Sequence, residues 1–177
     1  MDPPTSGAAA TDREPDPESV ARSIALRLLT AAPRSRHQLA TALAKRGVDD
    51  ALATRVLDRF QQVGLVDDTE YARMLVRSRT ESRGLARRAL AAELRRAGID
   101  DECAQAALAT VDPQVEEDTA RELLRRRWRA DVDPLVQARR AVAMLGRKGY
   151  PDGLSRRLVA EMVDDRSRRS VAMEPDD

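Results

Sequence analysis

The apolar residues of this chain recur at intervals of three and four, the spacing of a helical face and not of a strand. Val20, Ile24 and Leu28, with Ala25 and Leu29 beside them, form the first stripe. Asp16-Pro17 can open that helix, because proline is tolerated at the first helical position, and Pro33 ends it. Ser35 with Gln38 has the form of a capping box ahead of Leu39 and Leu43. Lys45 and Arg46 fall in the last turn, where cations suit the helix dipole, and Gly47 suits a left-handed C-cap. Asp49 or Asp50 then caps a third helix bearing Leu52, Val56, Leu57 and Phe60, which Gly64 closes.

The pattern returns twice. Gly47, Gly98 and Gly149 stand 51 residues apart, and the same shift aligns Leu43, Leu94 and Leu145 upstream of them. Downstream it aligns Asp50, Asp101 and Asp152, then Leu52, Cys103 and Leu154, then Phe60, Val111 and Met162. Matching residue classes at so many offsets mark an internal repeat. The second copy is predicted to start at Asp67, break at Ser82-Arg83-Gly84 and end at Asp112-Pro113; the third breaks at Asp133-Pro134 and turns at Gly149. The expected architecture is all-α, with three tandem three-helix, helix-turn-helix-like repeats over residues 17–66, 67–112 and 113–166. Short connections predict an elongated, curved array. A disordered acidic tail is expected over 1–16, and a second disordered tail over 167–177.

Composition supports this reading. Among 177 residues there are two Tyr, one Trp and one Phe. Thick cores draw heavily on aromatic area, so their scarcity favours thin helical bundles. The formal net charge is only +1, yet it is unevenly spread. Over 71–99 eight arginines meet only Glu81 and Glu93, and a second basic excess lies in 120–170. These stretches could face a polyanion or an acidic protein surface. The single cysteine, Cys103, allows no internal disulfide. The N-terminal segment lacks the basic start and apolar run of a signal peptide, and no apolar stretch has membrane-spanning length. The expectation is a soluble, cytoplasmic monomer without membrane contact.

Candidates for catalysis are few. His37 is the sole histidine, at a helix start, and reads as solvated; Cys103 aligns with Leu52 and Leu154 and reads as core. The pairs Asp49-Asp50, Asp67-Asp68, Asp100-Asp101 and Asp164-Asp165 resemble paired catalytic carboxylates, but their recurrence at helix boundaries favours capping. No enzyme activity, metal or cofactor is expected. The candidate binding residues are basic. Arg73, Arg77, Arg83, Arg87, Arg88, Arg95 and Arg96 belong to the second repeat, together with Arg79. Arg77, Arg88 and Arg95 can also be read as solvated faces or as partners of Glu81 and Glu93. In the third repeat Arg121, Arg125, Arg126, Arg127 and Arg129 are placed on one helix, followed by Arg139, Arg140, Arg147 and Lys148. Arginine over lysine suits planar contact with phosphate or carboxylate. The aromatic platforms of single-strand readers are missing, so weak, salt-sensitive contact with nucleic-acid backbone is the expected mode.

Gly64-Leu65-Val66-Asp67-Asp68, followed by Tyr71-Ala72-Arg73, resembles the G-L-[IV]-D-D-x-x-[FY]-A signature of the RecX family. Gly84, Leu90, Glu93-Leu94 and Gly98-Ile99 match the pattern that follows it, and Tyr150 supplies the aromatic usual after the third-repeat glycine. The resemblance covers about residues 20–165. It implies a bacterial negative regulator of the RecA recombinase that binds the groove of the RecA–single-stranded DNA filament. Such proteins block filament extension or promote disassembly. They thereby suppress ATP hydrolysis, strand exchange and LexA self-cleavage, tempering recombination, DNA repair and the SOS response. The implied partners are the RecA filament and DNA, single-stranded and in some contacts double-stranded. The competing expectation is a helix-turn-helix-like DNA-binding protein acting independently of RecA.

Overall fold

The computed structural model describes residues 16–129 and 131–171. Among them are nine α-helices and no strand. In chain order these are α1 (Pro17–Ala31), α2 (Arg36–Ala44), α3 (Asp50–Gln62), α4 (Asp68–Arg83), α5 (Arg87–Arg96), α6 (Asp101–Ala109), α7 (Pro113–Arg127), α8 (Pro134–Arg147) and α9 (Asp152–Val171). The expected acidic tail lies, apart from Asp16, outside the described residues. The expected tail from 167 starts inside α9, and residues 172–177 lie outside the described residues.

Aspartate starts most of these helices. Asp16, Asp49, Asp67, Asp100, Asp112 and Asp133 each accept a backbone N–H of the first turn, satisfying donors with no intrahelical partner. Ser35 and Gln38 complete the predicted box: the Ser35 N–H donates to Gln38 Oε1 at 3.3 Å and the Gln38 N–H to Ser35 Oγ at 3.2 Å. The helix ends repeat too. Val48, Ile99 and Tyr150 donate their N–H to the carbonyls of Leu43, Leu94 and Leu145 at 3.1–3.2 Å. Each such bond wraps a left-handed glycine, the closure of a Schellman motif. The 51-residue period of the sequence is thus the period of one hydrogen-bonded turn.

The chain groups into two compact units, one running through Arg34 with Leu39–Val66, the other containing Ser35–Gln38 and everything from Asp67. The first unit buries Ala21, Ala25, Leu39, Leu43, Val56, Leu57 and Phe60 between α1, α2 and α3. The second holds two cores. One gathers Ala72, Leu75, Val76, Leu90, Leu94 and Ile99 from α4–α6, and the other Ala120, Leu124, Met144, Leu145, Tyr150, Leu158 and Val159 from α7–α9. Full burial of one such leucine is worth about 2 kcal/mol, so the eight fully buried leucines outweigh any surface ion pair.

The two cores of the second unit are stitched together at the start of α5. Its cap position is Ala86, which has no side chain able to accept. The Arg87 N–H instead donates to the Glu116 carboxylate on α7 at 3.1 Å, and the Ala86 N–H to the Lys148 carbonyl at 2.9 Å. Tyr150, 2 % exposed, donates its hydroxyl to the Gly84 carbonyl at 3.2 Å. Ala86 itself lies in the α7–α9 core.

Candidate functional site

The histidine, the cysteine and the paired aspartates lie at helix starts, against a core or inside α9. His37 is exposed at the second position of α2. Cys103 is half-buried against the α4–α6 core, its sulfur 3.3 Å from Thr69 Oγ1. Asp49, Asp67 and Asp100 are caps, and Asp68 accepts the Arg36 N–H at 2.8 Å. Asp164-Asp165 breaks the capping pattern, because it lies inside α9 and not at a boundary. Among the described residues no group of three His, Cys, Asp or Glu is placed to hold a metal ion. None of their helices is long and apolar enough to cross a membrane.

The basic candidates divide by what they touch. Glu93 collects Arg79, Arg83 and Arg96 at 2.9–3.8 Å, and Glu70 pairs with Arg73. Of the two alternatives for Arg77, Arg88 and Arg95, solvated faces or partners of Glu81 and Glu93, the structure has the first: all three are exposed, and Glu93 pairs with other arginines. Arg87 donates to the Leu108 carbonyl at the end of α6 (2.8 Å). On α7, Arg121 sits between Glu117, Asp118 and Glu161, while Arg125 and Arg126 both turn to Glu122. The Arg126 guanidinium holds the Glu122 carboxyl below its ordinary range. Arg129 does not share their helix: α7 ends at Arg127, Trp128 is its C-cap, and Arg129 forms a two-pronged pair with Asp131 at 3.0–3.1 Å. Among the described residues no acid pairs with Arg77, Arg88, Arg95, Arg127, Arg139, Arg140 or Arg147, all exposed.

Two features concentrate these free cations within the second unit. At the junction of α4, α7 and α8, Lys148 Nζ donates to the Arg83 carbonyl, close to Arg127. Burial first, then Arg127 and Arg83, depress the Lys148 ammonium below its ordinary value. Like charges held together in this way favour an incoming anion. Beside them lies a cleft of about 290 Å³ between the end of α7 and α8. Its floor is Leu124, Ala141 and Met144, its wall Trp128, and its rim Arg127, Arg129, Arg140 and Arg147. Among the described residues no acidic side chain lines it. Arg140, Ala141, Met144 and Arg147 are spaced one, four and seven along α8, so they share one face. Gln137 holds the backbone that follows Trp128: its Oε1 accepts the Arg129 N–H at 2.9 Å and its amide donates to the Arg129 and Val132 carbonyls.

The arginines were legible in the sequence; Gln137, Trp128 and Met144 as parts of the same site were not. The helical spacing of Arg140, Met144 and Arg147 is the signal that could have found part of it.

Comparison with known proteins gives this arrangement a family. Residues 21–60 match the model of the first three-helix domain of RecX, and residues 67–108 that of the second. The chain is 48 % identical over 165 residues to the regulatory protein RecX of Thermobifida fusca, covering 92 % of this chain and 88 % of that one. It is 47 % identical over 160 residues to the RecX of Mycobacterium leprae, with 88 % and 94 % covered. The crystal structure of RecX from Lactobacillus salivarius superposes with a TM-score of 0.71 at 19 % identity, over 82 % of this chain and 96 % of that one. A second crystal structure, of a regulatory protein RecX, gives 0.69 at 23 %, over 85 % and 72 %. The two structures speak for the fold, and the close relatives speak for the family: this chain belongs to the RecX family of regulatory proteins.

Proposed function

We propose that this protein is a non-enzymatic, cytoplasmic negative regulator of RecA. It binds in the groove of the RecA–single-stranded DNA filament, blocks extension or promotes disassembly, and so lowers ATP hydrolysis, strand exchange and LexA cleavage. In this reading the three repeats 17–66, 67–112 and 113–166 act as modules of one monomeric binding protein. Weak attachments along a filament reinforce one another through effective concentration.

One observation carries the DNA side of the proposal: the unpaired cations Arg127, Arg140 and Arg147 line one cleft, and no acidic residue lines it among the described residues. Arg77, Arg88, Arg95 and Arg139 extend the set of exposed, unpaired cations. The paired candidates Arg73, Arg125, Arg126 and Arg129 are available at small cost, since exposed ion pairs contribute about 0–1 kcal/mol, whereas Arg83, Arg96 and Arg121 pair with Glu93 and Glu117, each only 20 % exposed. The test adds the full chain to RecA on single-stranded DNA and follows ATP hydrolysis. Hydrolysis should fall as the protein approaches stoichiometry with the filament. Unchanged hydrolysis at excess, with tight and sequence-selective duplex binding, would instead establish a helix-turn-helix-like protein acting without RecA.

A further inference from the structure

We infer that the cleft between α7 and α8 is a single-stranded nucleic-acid subsite, which holds one unstacked base against Trp128 and the flanking phosphates on Arg127, Arg140 and Arg147. This deepens the DNA contact in the proposed function and rests on that part of it, but it requires no RecA.

The chemistry of the cleft selects the ligand. An apolar floor with a half-buried indole at its wall suits a flat, weakly solvated ring. Of the four rim arginines, Arg129 is paired with Asp131, while Arg127, Arg140 and Arg147 have no acid partner among the described residues, so their donors are not already committed. A nucleotide in a single strand offers both parts at once, a base with a π-face and phosphates on either side. An acidic peptide offers carboxylates to the rim but nothing to the floor. A duplex keeps its bases stacked and presents phosphates and base edges but no free base face. Single-stranded nucleic acid is therefore the occupant that uses every wall.

The indole is positioned for this. Trp128 ends α7, its N–H donating to the Leu124 carbonyl at 2.9 Å, and it packs against the α7–α9 core on one side. The guanidinium carbon of Arg166 lies 6.0 Å from the ring centroid, at the outer limit of a cation–π contact. Arg166 is not among the cleft-lining residues, so it leaves the indole's cleft side open. Gln137 pins the backbone after the tryptophan through the Arg129 N–H and carbonyl, which keeps that wall in place before any ligand arrives.

Trp128 is the only tryptophan in the sequence, so its fluorescence reports on this cleft alone. A thymidine oligonucleotide of about 12 residues, within the usual site sizes of single-strand binders, is titrated into the full chain without RecA. The expected result is a saturable change in Trp128 emission that weakens as salt rises. In parallel, a dye-labelled oligonucleotide is followed by anisotropy. Trp128→Leu should weaken binding on the order of tenfold, the loss expected for one stacked base. Trp128→Phe should weaken it far less, and Arg140→Glu or Arg147→Glu should weaken it several-fold while leaving tryptophan emission readable. The inference is overturned if the oligonucleotide does not bind, or binds without altering Trp128 emission. It also fails if Trp128→Leu binds as tightly as Trp128→Phe. A polyglutamate chain that produces the same emission change at the same ionic strength would make the cleft an acidic-protein site, and overturns it as well. Failure of the RecA reading appears elsewhere, in RecA's ATP hydrolysis, so the two are separable.

Discussion

Gly149 and Gly47 occupy equivalent turns, yet their surroundings make different demands. Gly47 has φ +77° and open space where a Cβ would stand, whereas Gly149 has φ +90° and a Cβ there would run into the backbone of Ala89. A left-handed backbone costs an L-residue roughly 1–2 kcal/mol. Gly47→Ala should lose about that much, and Gly149→Ala clearly more, because the obstacle is main chain that cannot rotate aside. Urea unfolding of the two variants checks this, and equal losses would contradict it. Tyr150 makes a second residue-scale prediction. Burial, and then Glu116, push its phenol well above the ordinary value of 10. The folded state therefore retains a proton that the unfolded chain gives up. The associated stability is fully present below pH 10 and declines as pH rises beyond it. Tyr150→Phe should flatten this alkaline loss while costing about 1 kcal/mol at neutral pH through the orphaned Gly84 carbonyl. Thermal melts across pH 8 to about 11 would show whether the slope follows the hydroxyl.

At the scale of the element, α7 shows how acids decide which arginines are available. Glu117 is held below its ordinary value of 4.5 first by its hydrogen bond to Arg157 of α9 and then by the charge of Arg121. The sign for a depressed carboxyl is that its stabilising effect is complete above the unfolded value and disappears as pH falls through the folded one. Arg157→Gln should therefore reduce the difference in melting temperature between neutral and acid pH; an unchanged difference would show that the pair does not couple α7 to α9. One turn further along, Glu122 occupies Arg125 and Arg126, and Arg127 alone is left without an acid. Charge reversal at Arg127 is expected to weaken binding to single-stranded DNA more than reversal at Arg125 or Arg126. Parallel titrations of the three variants decide it.

For the molecule as a whole, the proposed attachment is electrostatic and spread over several cations. Binding to single-stranded DNA should weaken steeply with salt, and the slope of log affinity against log salt should drop by about 0.7 for each phosphate-contacting arginine removed. Reversing Arg125, Arg126 and Arg127 together should also reduce inhibition of RecA's ATP hydrolysis. A variant that inhibits at wild-type concentrations would move the contact away from the end of α7.

The nine helices and their joints were readable in the chain because the signals are local. An aspartate before a helix, a proline inside its first turn and a glycine after its last turn each act within four residues. The 51-residue period was readable because one turn geometry recurs three times. What the sequence could not apportion is charge. Glu93 lies ten residues or more from Arg79 and Arg83, and Glu117 forty from Arg157, so only the packing of α5 on α4 and of α9 on α7 chose those pairs. The same holds for the α7–α8 cleft. Trp128 is a lone aromatic in sequence, and becomes a wall opposite Met144 only when α8 folds back beside the end of α7. Helix formation depends on neighbours a turn away and is written in order along the chain; electrostatic pairing and concavity depend on distances in space, which only the folded structure sets.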